Sequence, residues 1–196
     1  MISLAVSLLA LSVSAFTAWA TLVKRGSVLM TQPTTVYFGP DGGAHSHFKV
    51  FFRTLLYATA KRGCIVESLF IRLSRMDRDT SRLFMIWVYG DDALRRGSGL
   101  FIPEGGLTAN HHFLLPFDRS SFDVLSGWYT LEVYCSIVGE KRSRLLRSIH
   151  LEVSERESKA LTDSDNGLYF DWNPEFKGYR SHIRPLREAE NTRRWN

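Results

Sequence analysis

Between Met1 and Lys24 the chain carries no ionisable side chain, and this uncharged opening constrains the protein more than any other feature. Residues 2–23 read ISLAVSLLALSVSAFTAWATLV. At about 1.5 Å per residue, a helix of that length covers the ~30 Å hydrocarbon layer of a bilayer. The segment therefore predicts one transmembrane helix. The alternative is a cleaved secretory signal, because Ala18-Trp19-Ala20 has the small-x-small pattern of a cleavage site. Retention is favoured, because no basic residue precedes the apolar run and the run continues past that site.

The residues that flank the apolar segment predict its orientation. Lys24 and Arg25 follow it directly, and the positive-inside rule favours the cytoplasmic over the periplasmic side of a bacterial inner membrane for the rest of the chain. Trp19, Lys24 and Arg25 are predicted anchors at the membrane interface. In the cytoplasm Cys64 and Cys135 would stay reduced, whereas an exported body would allow them to pair.

Small and hydroxyl-bearing residues form one stripe of the apolar helix, with spacings of alternately four and three residues. In lipid, such residues allow close backbone approach and hydrogen bonds between helices. The stripe thus predicts packing against another membrane subunit or a second copy of the chain. The alternative is that the hydroxyls bond to carbonyls one turn earlier and the stripe faces lipid. Its members are Ser3, Ser7, Ala10, Ser14, Thr17 and Thr21.

Beyond residue 25 the chain consists of short segments rich in β-branched and aromatic residues, separated by Gly, Pro, Asp and Asn. Such segments predict seven or eight antiparallel strands and a β-sandwich. The predicted strands cover residues 28–38, 50–59, 65–73, 83–89, 100–102, 112–115, 128–138 and 145–153. The predicted units are a transmembrane helix (1–23), a juxtamembrane linker (24–33), a β-sandwich domain (34–155) and an aromatic and basic C-terminal extension (156–196).

The run GWYTLEV at residues 127–133 places apolar residues at alternate positions of a strand. It resembles the Gly-x-Tyr-x-Leu-x-Val run of immunoglobulin-like domains, and that resemblance implies that Tyr129 makes a tyrosine-corner hydrogen bond. The expected fold is an all-β, immunoglobulin-like antiparallel β-sandwich preceded by one transmembrane helix. The chain also resembles uncharacterised single-span bacterial membrane proteins. The resemblance lies in the span, the KRG that follows it, the MTQP at 30–33 and the NHHFLLP at 110–116. That resemblance implies no activity.

The C-terminal extension is too rich in aromatic residues for a freely disordered tail. We therefore predict that it packs across the sandwich or against another chain. Tyr169, Phe170 and Trp172 are the residues predicted to contact a partner or a ligand.

The motifs of the common enzyme classes do not occur in this sequence. It contains no nucleophile elbow, phosphate-binding glycine loop, Cys-x-x-Cys or His-Glu-x-x-His. We therefore predict no enzymatic activity, no catalytic residues and no cofactor. His45, His47, His111 and His112 are of ligand type but lack suitably spaced partners, so no metal site is predicted. The net charge of +5 comes without a nucleic-acid-binding motif, so a nucleic-acid partner is not predicted either.

These patterns predict a non-enzymatic, single-pass membrane protein that serves as an accessory or scaffold subunit of a larger assembly. Its partners would be the lipid bilayer and other membrane subunits or further copies of itself. The alternative is an anchored or exported ligand-binding module that stacks a sugar or another small molecule on aromatic residues such as Tyr169, Trp172 and Trp128.

Overall fold

The computed structural model describes residues 2–23, 26–40, 48–76, 82–88, 99–115, 122–162 and 165–186. For Leu22 and for residues 82–88 the description covers the backbone only.

The chain begins with helix α1, Ile2–Ala18, which continues as a π-helical segment, Trp19–Val23. None of the α1 side chains is buried. The stretch Ile2–Thr21 is long and apolar enough to cross a membrane, a property that secretory signals share. The predicted apolar helix is therefore present, and it makes no part of the core.

Eleven antiparallel strands and one short helix follow within the described residues, which confirms the predicted all-β fold behind an N-terminal helix. Helix α2, Glu155–Ala160, starts at a capping box formed by Ser154 and Glu157. The strands are β1 Val28–Met30, β2 Thr35–Pro40, β3 Phe48–Ala58, β4 Cys64–Arg75, β5 Arg82–Val88, β6 Leu100–Ile102, β7 Leu107–Leu114, β8 Gly127–Ile137, β9 Arg144–Val153, β10 Asn166–Asn173 and β11 Gly178–Pro185.

The strands form one continuous sheet in the order β11-β10-β2-β3-β7-β5-β4-β8-β9, with β1 paired to β3 and β6 paired to β4. The sheet folds over so that β9 and β11, its two terminal strands, contact each other. Alternate side chains of β3, β8 and β9, among others, then point into one shared core, as in a sandwich. The largest fully buried side chains include Phe38, Phe52, Phe113, Phe170, Ile71 and Leu131.

A chain of hydrogen bonds joins the terminal strands where the sheet closes. Arg147 on β9 donates through Nη2 to the carbonyl of Met30 at 2.7 Å and through Nη1 to Oε1 of Gln32 at 3.2 Å. Gln32 Nε2 donates to the hydroxyl of Tyr179 on β11 at 2.7 Å, and that hydroxyl donates to the carbonyl of Pro33 at 2.7 Å. Burial raises the pKa of Tyr179 to about 12, so the phenol keeps its proton and its role as a donor.

The tyrosine corner implied by the immunoglobulin-like run is confirmed. The hydroxyl of Tyr129 donates to the carbonyl of Leu125 at 2.8 Å. The bond ties the start of β8 to the connection that precedes it, and Tyr129 itself is buried.

Two predicted strands and the predicted C-terminal extension differ from the structure. The predicted strand 28–38 is divided into β1 and β2, because Pro33 lacks the N–H that a continuous ladder needs. Strand β7 begins at Leu107 rather than at residue 112, and β3 pairs with it along its whole length. The C-terminal segment supplies β10 and β11, which extend the sheet beside β2 instead of packing across it.

Candidate functional site

The predicted packing stripe lies on a helix whose side chains are all exposed. Three of its hydroxyls bond back to their own helix. Ser7 Oγ donates to the Ser3 carbonyl at 2.9 Å, Thr17 Oγ1 to the Val13 carbonyl at 2.8 Å, and Thr21 Oγ1 to the Thr17 carbonyl at 2.8 Å. Each of these oxygens still has lone pairs with which to accept a bond from a neighbouring helix. Packing through Ser3, Ser7, Ala10, Ser14, Thr17 and Thr21 stays a prediction.

The predicted interface anchor Trp19 opens the π-helical segment and is half exposed. Its ring centre lies 6.1 Å from that of Phe16, one turn earlier. Its proposed neighbours in anchoring, Lys24 and Arg25, lie outside the described residues.

The three aromatic residues predicted as contact residues lie in different places. Phe170 is fully buried in the core, with its ring centre 5.1 Å from that of Phe38, so in the folded chain it is a core residue rather than a surface residue. The inward position follows from the alternation of β10, which sends Leu168 and Phe170 inward and Tyr169 to the other face. Trp172 is partly exposed, and its ring centre lies 5.2 Å from that of Tyr179 on β11.

Tyr169 belongs to a row of aromatic side chains on the outer face of the sheet. The residues are cross-strand neighbours on β11, β10, β2, β3 and β7. Ring centres lie 5.6 Å apart for His182 and Tyr169, 5.0 Å for Tyr169 and Tyr37, and 4.7 Å for Phe51 and His112. Neighbouring rings along this row therefore pack on one another, and most of them stay partly exposed.

A cavity of ≈ 330 Å³ opens where the helix joins the sandwich, at what we call the helix-proximal end. This end consists of residues 26–27 and of the turns at 59–63, 103–106 and 138–143. The cavity lining combines Gly26, Arg62, Cys64, Phe101 and Glu140 with further apolar residues.

A charged cluster sits beside this cavity. Arg144 and Glu140 form a bidentate ion pair. The guanidinium group donates from Nε to Oε2 at 2.6 Å and from Nη2 to Oε1 at 2.7 Å. Its remaining nitrogen donates to Ser27 Oγ at 2.8 Å. The hydrogen bond from Arg144 to Ser27 therefore ties the β8–β9 connection to the segment that follows the helix.

Cys64 and Cys135 are both free thiols in the structure. Cys135 is buried in the core, and burial raises its pKa to about 11. Burial and then the Glu140 carboxylate also raise the pKa of Cys64, which lines the cavity. Because the thiolate is the reactive form, both cysteines are slow nucleophiles at neutral pH.

We expect iodoacetamide to alkylate Cys64 alone in the folded chain, with a rate that rises as the pH is raised, and both cysteines after unfolding. Intact mass and peptide mapping measure the outcome. A Cys64→Ser variant should take up no label while folded. Labelling of Cys135 in the folded chain, or a mass that corresponds to a disulfide, would contradict this assignment.

The described residues contain no group of three or more His, Cys, Asp or Glu side chains placed to hold a metal ion. His45 and His47 lie outside those residues. His111 points into the core against Phe52, and neither of its ring nitrogens has a hydrogen-bond partner among the residues described. Burial, reinforced by the neighbouring His112, lowers the pKa of His111 to about 4, so the imidazole is neutral at physiological pH.

The chain matches no protein-family model and no curated protein. Among solved structures it is similar to the CooA pilin subunit from enterotoxigenic Escherichia coli, with a TM-score of 0.33 and 14% sequence identity over 65% of this chain and 99% of the pilin. A TM-score this low supports no conclusion about a shared fold or function.

Proposed function

We propose that this chain is a non-enzymatic, single-pass membrane subunit of a larger assembly. Helix α1 anchors it, and the β-sandwich stands on the cytoplasmic side of a bacterial inner membrane. The observation that carries the proposal is that the apolar helix has no partner within the described part of its own chain, since none of its side chains is buried. Leu9, Leu11 and Phe16 are each 67% exposed. Exposing an apolar surface of this size to water costs free energy, whereas contact with lipid does not.

Assembly with other subunits is supported by features that a lipid anchor alone does not require. A helix that only faces lipid gains nothing from a continuous stripe of Ser, Thr and Ala, whereas a helix that packs against another gains close contact. The aromatic row and the partly exposed Trp172 offer a further surface to a partner outside the membrane.

Membrane anchoring is tested by cell fractionation. We expect the chain to sediment with membranes, to resist extraction by alkaline carbonate, and to keep residues 2–23 in its intact mass. The apolar surface of the helix is the physical reason, because its transfer to water is unfavourable. A mature chain that begins after Ala20, or release by carbonate, would contradict the proposal.

Helix packing is tested by enlarging two small stripe residues that lie two turns apart. We expect Ser7→Leu with Ser14→Leu to lower recovery of the membrane partner about tenfold in a mild-detergent pull-down read by mass spectrometry, because the larger side chains hold the helices apart.

The matched control is Ala5→Leu with Ser12→Leu, a pair with the same spacing outside the stripe. It should leave recovery unchanged. Equal recovery from both variants would mean that the stripe makes no contact with a partner.

A further inference from the structure

We propose that the helix-proximal end of the sandwich is a second membrane-contact surface, one that binds anionic phospholipids of the leaflet into which the helix leads. Three exposed apolar side chains, Ile65, Phe101 and Val138, enter the headgroup layer. Cations of the adjoining turns bind the lipid phosphates. This inference rests on the membrane anchoring proposed above.

Chain connectivity places this end next to the bilayer. The helix ends at Val23, and the chain is fixed to the sandwich again from Ser27, whose amide donates to Thr59 Oγ1 at 2.8 Å and whose carbonyl accepts from the Thr59 amide at 2.9 Å. Gly26 packs so closely on Ala60 that a Cβ at position 26 would lie 2.6 Å from the Cβ of Ala60. Since consecutive Cα atoms are about 3.8 Å apart, Gly26 lies at most about 11 Å from Val23.

That distance compares with the thickness of the headgroup layer. The hydrocarbon core of a bilayer is about 30 Å thick and the whole bilayer about 40–45 Å, so each polar layer spans about 5–8 Å. A spanning helix that ends at Val23 therefore holds Gly26 and the turn at 59–63 within or just outside this layer. The occupant that this geometry brings to the surface is lipid.

The three apolar side chains form one exposed patch on β4, on β6 and just after the end of β8. Ile65 on β4 lies opposite Phe101 on β6, and the amide of Val138 donates to the carbonyl of Ile65 at 3.0 Å. Their exposed fractions are 49% for Ile65, 56% for Phe101 and 54% for Val138. The ring of Phe101 lies against the backbone of Gly63, which brings it beside the turn that carries Arg62. All three side chains line the cavity at this end.

The charges around this patch complement an anionic membrane. Lys61 and Arg62 occupy the β3–β4 turn, Lys141 and Arg142 occupy the β8–β9 turn, and all four are exposed. Glu140 is already paired with Arg144 and so does not offset them, and the exposed Glu104 in the turn at 103–106 still leaves the four cations in excess. Apolar side chains flanked by basic residues are the arrangement with which peripheral proteins bind the headgroup and acyl boundary.

The test uses the full chain in proteoliposomes of phosphatidylcholine, with or without phosphatidylglycerol. The photoreactive residue p-benzoylphenylalanine replaces Phe101 in one variant and Trp128 in a matched control. Trp128 is 50% exposed and lies at the other end of β8, about 30 Å along the strand from Val138. Lipid adducts are counted by mass spectrometry after irradiation.

We expect at least about fivefold more lipid adduct from position 101 than from position 128, and more adduct when phosphatidylglycerol is present. Lys141→Gln with Arg142→Gln should lower the yield at position 101 severalfold. Arg156→Gln with Lys159→Gln removes the same charge from exposed positions on α2, at the opposite end, and should leave the yield unchanged.

Carbonate extraction of the same proteoliposomes separates the two proposals. If the chain resists extraction but positions 101 and 128 give equal adducts, the contact surface is overturned and the anchoring stands. Equal effects of the two charge variants would also overturn the binding of anionic lipid. If carbonate releases the chain, both proposals fail.

Discussion

Replacing Phe170 with alanine is expected to lower the free energy of unfolding by about 3–5 kcal/mol, because the change removes a fully buried ring and leaves a cavity. The ring packs edge-on against Phe38 of β2, and β10 contributes Leu168 to the same core. The expected loss is a large part of the stability of an ordinary domain. Urea unfolding of the full chain in mild detergent, followed by tryptophan fluorescence, measures it.

A second phenylalanine on the same hairpin provides the matched control for Phe170. Phe176 is 47% exposed, and its ring lies against Gly178 and the guanidinium group of Arg180 at the surface. Phe176→Ala should therefore lower the free energy of unfolding by less than about 1 kcal/mol. If Phe170→Ala lowers the free energy of unfolding by an equally small amount, the C-terminal hairpin does not contribute to the core and the described packing of β10 is wrong.

Acid is expected to destabilise the sandwich through His111 by about 3 kcal/mol. Burial lowers the pKa of this imidazole to about 4 in the folded chain, against 6.5 for an exposed histidine. Between those values the unfolded chain binds a proton that the folded chain does not. The stability contribution is therefore complete above pH 6.5, falls as the pH is lowered through that window, and is lost at about pH 4.

The measurement is the free energy of unfolding of the full chain and of His111→Leu at a series of pH values. The difference between the two should shift in favour of the variant as the pH falls, because leucine has no proton to bind. His150→Leu, which removes an exposed imidazole from β9, controls for the loss of one histidine. A constant difference between the chain and His111→Leu across the window would show that His111 accepts its proton without unfolding.

The amino-acid pattern was sufficient to predict most strands of the sandwich, because in several of them alternate residues are buried. In β8, for example, Tyr129, Leu131 and Val133 are buried and the residues between them are not. The three-residue strand β6 was predicted with its observed bounds. The tyrosine corner was predictable from a local run, because its hydrogen bond joins residues only four positions apart, Tyr129 and Leu125.

The two C-terminal strands were missed because their local composition argues against strands. Asn166, Gly167 and Asp171 have low strand propensity, and Asn173-Pro174 marks a turn. The sequence does show apolar residues at alternate positions, Leu168 and Phe170, but this pattern covers only three residues. Pairing with β2, which is distant in sequence, decides the conformation here.

The candidate membrane surface was not predictable for a related reason. Ile65, Phe101 and Val138 occur in strands or at their ends, and which face of a strand is covered depends on the order of strands in the sheet. The pairing of β6 with β4 brings Ile65 and Phe101 together. Only their common proximity to the turn beside Gly26 places them near the helix.

The hydrogen bonds from Arg147 through Gln32 to Tyr179 close the folded sheet between β9 and β11. A long free edge strand offers a template on which another polypeptide can polymerise. Here the two outermost strands contact each other, but side-chain hydrogen bonds and not a backbone ladder join them. A strand from another copy that paired with either edge would therefore have to displace these side-chain hydrogen bonds first.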